Sequence, residues 1–173
     1  MDGFHKKKIY RLVRANECAF SPPFGQYIVD NINGIESFCR VFVLDATLKS
    51  DENLLRTLNC YYADPNFLDM FSVQLMNGDS KEILNTKNSV IISESFVKKL
   101  FPKSNPIGKS IKFNNRLDYQ VTGIFKDFGQ NTHFTQADVI FPFDAMGDYF
   151  DNKYLTQYDW RFFLPALYVT AKS

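Results

Sequence analysis

Asn88-Ser-Val-Ile-Ile-Ser-Glu-Ser-Phe-Val-Lys-Lys-Leu-Phe-Pro102, continued to Phe128, carries the densest set of local signals in the chain. Val90, Ile91 and Ile92 form a short apolar run of strand type. Ser93 ends it and is suited to cap the amino end of a helix. Glu94 falls in the first turn, where the helix dipole favours a carboxylate, and Phe96, Val97, Leu100 and Phe101 share one face at helical spacing. Pro102 stops the helix, and Pro106 and Gly108 mark a turn. Ile111 and Phe113 then alternate with polar residues, Asn114 to Asp118 reverses the chain, and Tyr119, Val121 and Ile124 continue as a second strand. The stretch reads as strand, helix, turn and hairpin.

Working outward, Ile9 to Arg14 predicts a strand after the basic run Lys6 to Lys8. Ser21-Pro-Pro-Phe-Gly25 launches a short helix in which Tyr27, Ile28 and Ile32 share a face, and Asn33-Gly34 ends it. Ile35 to Leu44 alternates as a strand, with Phe38, Phe42 and Leu44 on one face and Cys39, Val41 and Val43 on the other. Two apolar faces predict a central position, with Arg40 the exception. Lys49 to Asn53 reads as a loop and Leu54 to Tyr62 as a further strand. Asp64 offers a cap and Pro65 a first helical position for a helix carrying Phe67, Met70 and Phe71. Asn77-Gly78-Asp79 is a turn by composition. Beyond Phe128, Gly129 to Thr135 is irregular, Val139 to Phe143 is a strand, and Asp144 is placed to cap a short helix through Phe150. A Tyr- and Asn-rich loop leads to Trp160, and Phe162 to Ala171 forms a last strand interrupted by Pro165. Strand-helix-strand units thus stand at both ends. They predict one lobe from residues 1–62 and 131–173 and a second from residues 63–130, an α+β fold.

The order and spacing of these pieces resemble the MacB-like periplasmic core domain of FtsX-type ABC transporter permeases. The residues that carry the resemblance are Val90 to Phe101, Asn105-Pro-Ile-Gly-Lys-Ser110, Tyr119-Gln-Val-Thr-Gly-Ile-Phe125, Tyr62 to Phe71 and Gly78-Asp79, together with strands at Ile9-Tyr10-Arg11 and Tyr168-Val169. The resemblance implies a porter-like lobe for the end segments and a sabre-like lobe for the middle. It implies a periplasmic segment between the first and second transmembrane helices of an inner-membrane permease, excised here with Met1 as an introduced start. It also implies partners: the parent's own transmembrane helices, a cytoplasmic ABC ATPase subunit, a second permease copy or paralogue, and a periplasmic adaptor or cargo.

A chain of 173 residues suits one domain, and 45% hydrophobic with 23% charged residues fits a folded soluble protein. The aromatic share of 16%, mostly 18 Phe and 9 Tyr, is high and supplies core and interface. A net charge of +1 gives no electrostatic reason to expect nucleic acid or an anionic membrane surface as the main partner. No apolar run approaches the roughly 20 residues needed to span a bilayer, so the residues alone permit a cytosolic location and only the resemblance implies a periplasmic one. Cys18, Cys39 and Cys60 are widely spaced and form no metal or redox pair, although one disulfide among them is open.

Enzyme chemistry finds little support. Gly108-Lys109-Ser110 lacks the first glycine of a phosphate loop, since position 103 is Lys103, and a strand rather than a helix follows. His5 and His133 have no partner at metal-ligand spacing, and Asp64, Asp69 and Asp79 read as caps and turns rather than a carboxylate cluster. No catalytic, metal or cofactor set emerges. The candidate interaction surface is the aromatic group Tyr149, Phe150, Tyr154, Tyr158 and Trp160. The main functional expectation is a non-catalytic domain that couples ATP hydrolysis to periplasmic work by mechanotransmission, which requires both chain ends on one side. The alternative is a periplasmic sensor for a peptide, lipid or antibiotic, and that reading predicts an apolar cleft with converging polar groups. A hydrolase would need an assembled nucleophile and base.

Overall fold

The computed structural model describes residues 8–14, 19–78, 83–129, 133–134, 136–150 and 165–172. Along them run β1 (Ile9–Arg11), α1 (Phe24–Asn31), β2 (Ile35–Lys49), β3 (Leu54–Ala63), α2 (Phe67–Met70), β4 (Leu75–Asn77), β5 (Ser89–Ser93), α3 (Glu94–Leu100), β6 (Ser110–Phe113), β7 (Leu117–Phe125) and β8 (Val139–Pro142). A 3-10 turn (Phe143–Ala145), α4 (Met146–Tyr149) and β9 (Ala166–Ala171) complete the order. The fold is the expected α+β type, mostly strands with few helices.

One sheet takes the order β1-β9-β2-β3-β8-β5-β7-β4, with β6 bonded to both β2 and β7. Because β2 pairs with β3, β3 with β8, β8 with β5, β5 with β7, β7 with β6 and β6 back with β2, these strands close a ring. Alternate residues point into it: Ala46 and Leu48, Cys60 and Tyr62, Val90 and Ile92, Ile111 and Phe113, Tyr119 and Val121, Val139 and Phe141 form one core with Phe96, Leu100, Phe143 and Met146. The outward residues Tyr61, Ala63, Ile91, Phe125 and Ile140 build a second core with Cys39, Val41, Phe67, Leu68 and Ile83. The Val90-Ile91-Ile92 run is apolar throughout because β5 is buried on both faces.

Ser93 behaves as the sequence predicts. It leaves β5 in an extended conformation, and its hydroxyl accepts the Phe96 N–H at 3.2 Å, starting α3. At the far end of α3, the β2–β3 turn acts as the cap: the Ser50 hydroxyl donates to the Leu100 carbonyl at 2.7 Å and Asn53 Nδ2 donates to the Lys99 carbonyl at 2.9 Å. The β6–β7 reversal is a three-residue loop, Asn114 to Arg116, with Asn114 and Asn115 at φ 47° and 56°, the left-handed region, and the Arg116 N–H donating to the Phe113 carbonyl at 3.0 Å. Asn114 also closes the ring, since its side-chain oxygen accepts the Thr47 N–H and its own N–H donates to the Thr47 carbonyl, both at 2.8 Å. On the other half of the sheet α1 packs over β2 and β9 through Ile28, Phe38, Leu167 and Val169. Gly25 permits that approach, because a Cβ there would lie 2.3 Å from the Phe38 ring.

Several boundaries differ from the sequence reading. β2 runs on to Lys49, since the β3 hairpin and β6 supply partners beyond Leu44. Val43 is 40% exposed rather than buried, because β9 pairs with β2 only as far as Val41. β1 ends at Arg11. Asp64 does not cap α2: its carboxylate is taken by Arg40, and Pro65 and Asn66 form a turn ahead of a helix that begins at Phe67. Asp144 caps nothing either; it is exposed in the 3-10 turn, whose N-cap is Pro142. Of the predicted last strand, residues 162–164 lie outside the described residues.

Candidate functional site

Two places have geometry relevant to function: the edge where the chain enters and leaves, and the cleft beside the second core. At the edge β1 and β9 are antiparallel, with Ile9 opposite Thr170, Tyr10 opposite Val169 and Arg11 opposite Tyr168. Facing residues in such a pair lie about 4.5–5.5 Å apart at Cα, so the start of β1 and the finish of β9 sit at one end of the sheet. β9 is held on its other side by β2, with Ile35 opposite Ala171 and the Ser37 and Thr170 hydroxyls 2.7 Å apart. β2 has 15 residues, a contour of about 46 Å at about 3.3 Å per step, and ends in the hairpin tip that caps α3. Thus one strand joins the terminal edge to the opposite pole. There Glu52 accepts the Lys103 N–H at 3.0 Å and the Ser104 hydroxyl, while Lys109 Nζ donates to Ser104 Oγ at 2.6 Å.

The junction between β2, the start of the α2 segment and the turn after β8 is pinned by one ion pair. Arg40 Nη2 lies 2.6 Å from Asp64 Oδ1, Arg40 Nε donates to Oδ2 at 3.0 Å, and the Arg40 backbone N–H donates to Oδ2 at 2.7 Å. The guanidinium stacks 4.0 Å from the Phe143 ring centroid. Arg40 is the exception on an apolar strand, and no local pattern in the sequence marks Asp64 as its partner, because the two residues are brought together only by the β2–β3 pairing. The Asn114–Thr47 contact and the Glu52 cluster were equally invisible.

Of the expected aromatic surface, Tyr149 is 38% exposed and packs edge-on to Phe113 at 5.6 Å and to Phe150 at 4.9 Å. Phe150 is half-buried against the ring core beside Phe42. Tyr154, Tyr158 and Trp160 lie outside the described residues, as do His5, Cys18 and Asp79. Among the described residues no group of three His, Cys, Asp or Glu is placed to hold a metal ion. Gly108 (φ 80°) and Lys109 form a turn in which the Gly108 N–H donates to Val121 and the Lys109 N–H to Pro106, and β6 follows directly. Cys39 and Cys60 are free, buried thiols in different cores, and burial raises the pKa of each. Inside the ring, burial also raises the Tyr62 and Tyr119 hydroxyls, the latter to about 12, and neither has a well-formed hydrogen bond. His133 is exposed, with Nε2 2.9 Å from the Tyr168 hydroxyl; its pKa is lowered, first by desolvation and then by Arg11.

The cleft has a volume of about 270 Å³. Phe71, Phe128 and Phe134 line it, with Lys126, Asp127 and Gln74 at its edge. Asp127 Oδ1 accepts the Ser95 N–H at 3.3 Å and Gln136 Nε2 at 3.4 Å, which turns its charge toward α3.

Comparison with known proteins adds to this geometry. Residues 11–173 match the family described as the MacB-like periplasmic core domain. The chain is similar to the uncharacterized ABC transporter permease YvrN of Bacillus subtilis strain 168, at 28% identity over 85 residues; the match takes in 47% of this chain and only about a fifth (20%) of that permease. Its fold is shared with a domain assigned to a permease protein of Porphyromonas gingivalis (TM-score 0.80, 21% identity, 99% of this chain and 78% of that one). It is shared too with the periplasmic region of MacB from Actinobacillus actinomycetemcomitans (TM-score 0.68, 16% identity, 95% and 73%). A third such fold is the extracellular domain of the noncanonic ABC-type transporter YknZ from Gram-positive bacteria (TM-score 0.68, 15% identity, 96% and 83%).

Proposed function

The chain belongs to the MacB-like periplasmic core domain family, and from that membership we propose that it is the non-catalytic extracytoplasmic domain of an ABC transporter permease, working by mechanotransmission. In this reading a cytoplasmic ATPase subunit hydrolyses ATP, the parent's membrane helices move, and the domain delivers that movement to periplasmic work: export, lipoprotein release or control of a partner. A second permease copy or paralogue stands beside it, and an adaptor or cargo meets it outside the membrane. The observation that carries the reading is the pairing of Ile9 with Thr170, which sets both ends of the described chain at one end of the sheet. Displacement applied there passes through the backbone bonds of β9 to β2, and β2 carries it to the opposite pole. The sheet order also supports a division into a porter-like and a sabre-like half. Strands β1, β9, β2, β3 and β8 come, apart from Ala63, from residues 1–62 and 131–173, and β5, β7, β4 and β6 from residues 63–130.

The test is to insert flexible Gly-Ser linkers between each end of this segment and the adjoining membrane helices of the full permease. Slack chain absorbs displacement. The expected result is ATP hydrolysis near the parent rate with loss of complementation in a strain lacking the permease. Retention of full complementation with both linkers in place overturns the proposal.

The cleft at Phe71, Phe128 and Phe134 favours a second reading, a periplasmic sensor for a peptide, lipid or antibiotic. Saturable binding of a lysophospholipid, an apolar hexapeptide or a macrolide that Phe128→Ser abolishes establishes it; no saturable binding from that panel rejects it.

A further inference from the structure

The end of the sheet where β1 begins and β9 finishes has a surface of its own. α1 stops at Asn31, and the Ile32 N–H is capped back onto the Ile28 carbonyl at 2.9 Å. The turn Ile32-Asn33-Gly34 then leads into β2, with the Ile35 N–H donating to the Ile32 carbonyl at 3.3 Å. The Lys172 N–H donates to the Gly34 carbonyl at 2.8 Å, which fixes the turn beside the finish of β9. Ile32 is thereby held at the tip of a braced turn yet is 49% exposed, and Ile9, across β9 from it, is 38% exposed. Tyr27, five residues back on α1, is 43% exposed. The charged residues here are of both signs: Lys8 and Lys172 are exposed on the strand ends, while Asp30, bonded to Gln26 Nε2 at 2.7 Å, and Glu36 flank the turn. Balanced charge argues against a strongly basic anchor. A branched apolar side chain at a rigid tip, with a tyrosine and two lysines around it, suits the boundary between head groups and acyl chains. There the isoleucine enters the apolar layer, the tyrosine sits at its rim and the ammonium groups meet phosphate.

Resting on the reading that both chain ends lead into membrane helices, we propose that the Ile32-Asn33-Gly34 turn, with Tyr27, Lys8 and Lys172, is a contact surface for the outer lipid leaflet, so that the domain stands on the bilayer as well as being tied to it. The contact fixes the tilt of the sheet relative to the membrane. A domain hanging on two strands alone dissipates helix movement by pivoting, whereas one braced on the lipid surface converts it into displacement of the far pole.

The experiment uses this chain carrying an N-terminal hexahistidine, held on phosphatidylcholine vesicles that contain phosphatidylglycerol, a nickel-chelating lipid and brominated acyl chains. Trp160→Phe removes the native tryptophan. Ile32→Trp then reports on the turn and Leu54→Trp on the opposite pole, where Leu54 is 63% exposed beside the hairpin tip. Both substitutions are at exposed positions, and circular dichroism verifies the fold. The bromolipid is expected to quench the tryptophan at position 32 at least about twofold more than that at position 54, as interfacial insertion requires. Equal quenching at the two positions, or none at position 32, overturns the proposal. Because the tether replaces the membrane helices, failure here leaves the mechanotransmission reading to be judged by its own linker experiment.

Discussion

Replacing Asp64 by alanine is expected to be the most damaging single polar substitution in the domain. Three donors of Arg40 make four hydrogen bonds to that carboxylate, at 2.6, 2.7, 3.0 and 3.2 Å, and both side chains are mostly buried, at 17% and 9% exposure. The change leaves a guanidinium trapped against the Phe143 ring, with the exposed Asp144 carboxylate 3.9 Å away as its nearest anion. Breaking one partner of a fully buried pair costs about 3–5 kcal/mol. Here Arg40 retains some access to water and to Asp144, so a loss of about 2–3 kcal/mol is expected for Asp64→Ala. Asp64→Asn keeps an acceptor for the Arg40 backbone N–H and is expected to cost about 1–1.5 kcal/mol. The double variant Arg40→Leu, Asp64→Leu removes both charges and is expected to lie within about 1 kcal/mol of the parent, because the desolvation of the pair is relieved together with its attraction. Urea unfolding followed by circular dichroism, with the slope unchanged across the set, measures all three. A loss below about 1 kcal/mol for Asp64→Ala, or a double variant no better than it, would falsify the view that this pair pins the junction.

Three further outcomes can be measured. Asn114→Gly keeps the left-handed turn but loses the acceptor for Thr47, at about 1 kcal/mol, whereas Asn114→Ala loses both and is expected to cost about 2 kcal/mol; no loss for Asn114→Gly removes the ring-closing role given to the Asn114 side chain, and the reverse ranking removes the demand for a left-handed residue there. Because burial raises Cys39, Cys60, Tyr62 and Tyr119 above their ordinary values of 9.0 and 10.0, the unfolded chain releases these protons first. Stability is therefore complete below about pH 9 and falls as pH rises, by up to about 1.4 kcal/mol per pH unit for each titrating group. Tyr62→Phe is expected to flatten this alkaline slope above pH 10, and an unchanged slope there counts against a buried, protonated Tyr62. His133, lowered from 6.5, contributes stability that is present above that value and is lost as pH falls through the folded value. A proton NMR titration of its ring that gives a midpoint at or above 6.5 contradicts this.

Much of the core was legible residue by residue. Ser93 signalled the strand-to-helix handover because a hydroxyl followed by Glu94 and an apolar face at helical spacing is a purely local pattern, and the hydroxyl accepts the Phe96 N–H as that pattern requires. The alternation after Gly108-Lys109 signalled the strand β6 that follows directly. The misplaced caps at Asp64 and Asp144 have separate causes. A carboxylate before a short helix satisfies the local rule, but a guanidinium brought from β2, 24 residues away, binds Asp64 more strongly than a backbone N–H does, and Asp144 falls inside the 3-10 turn, one residue past its start.

The amino-acid sequence by itself determined the order and kind of most elements, the family they belong to and the absence of any recognisable catalytic motif, because periodicity, capping and turn chemistry act over a few residues. Only the tertiary structure decided that the strands close into a ring, that β9 inserts between β1 and β2, that Arg40 meets Asp64, and that Ile9 comes to lie opposite Thr170. Each of these depends on a pairing register between segments far apart in the chain. Register is set by which buried faces fit together once the whole sheet has formed, and no short stretch of sequence contains both sides of that fit.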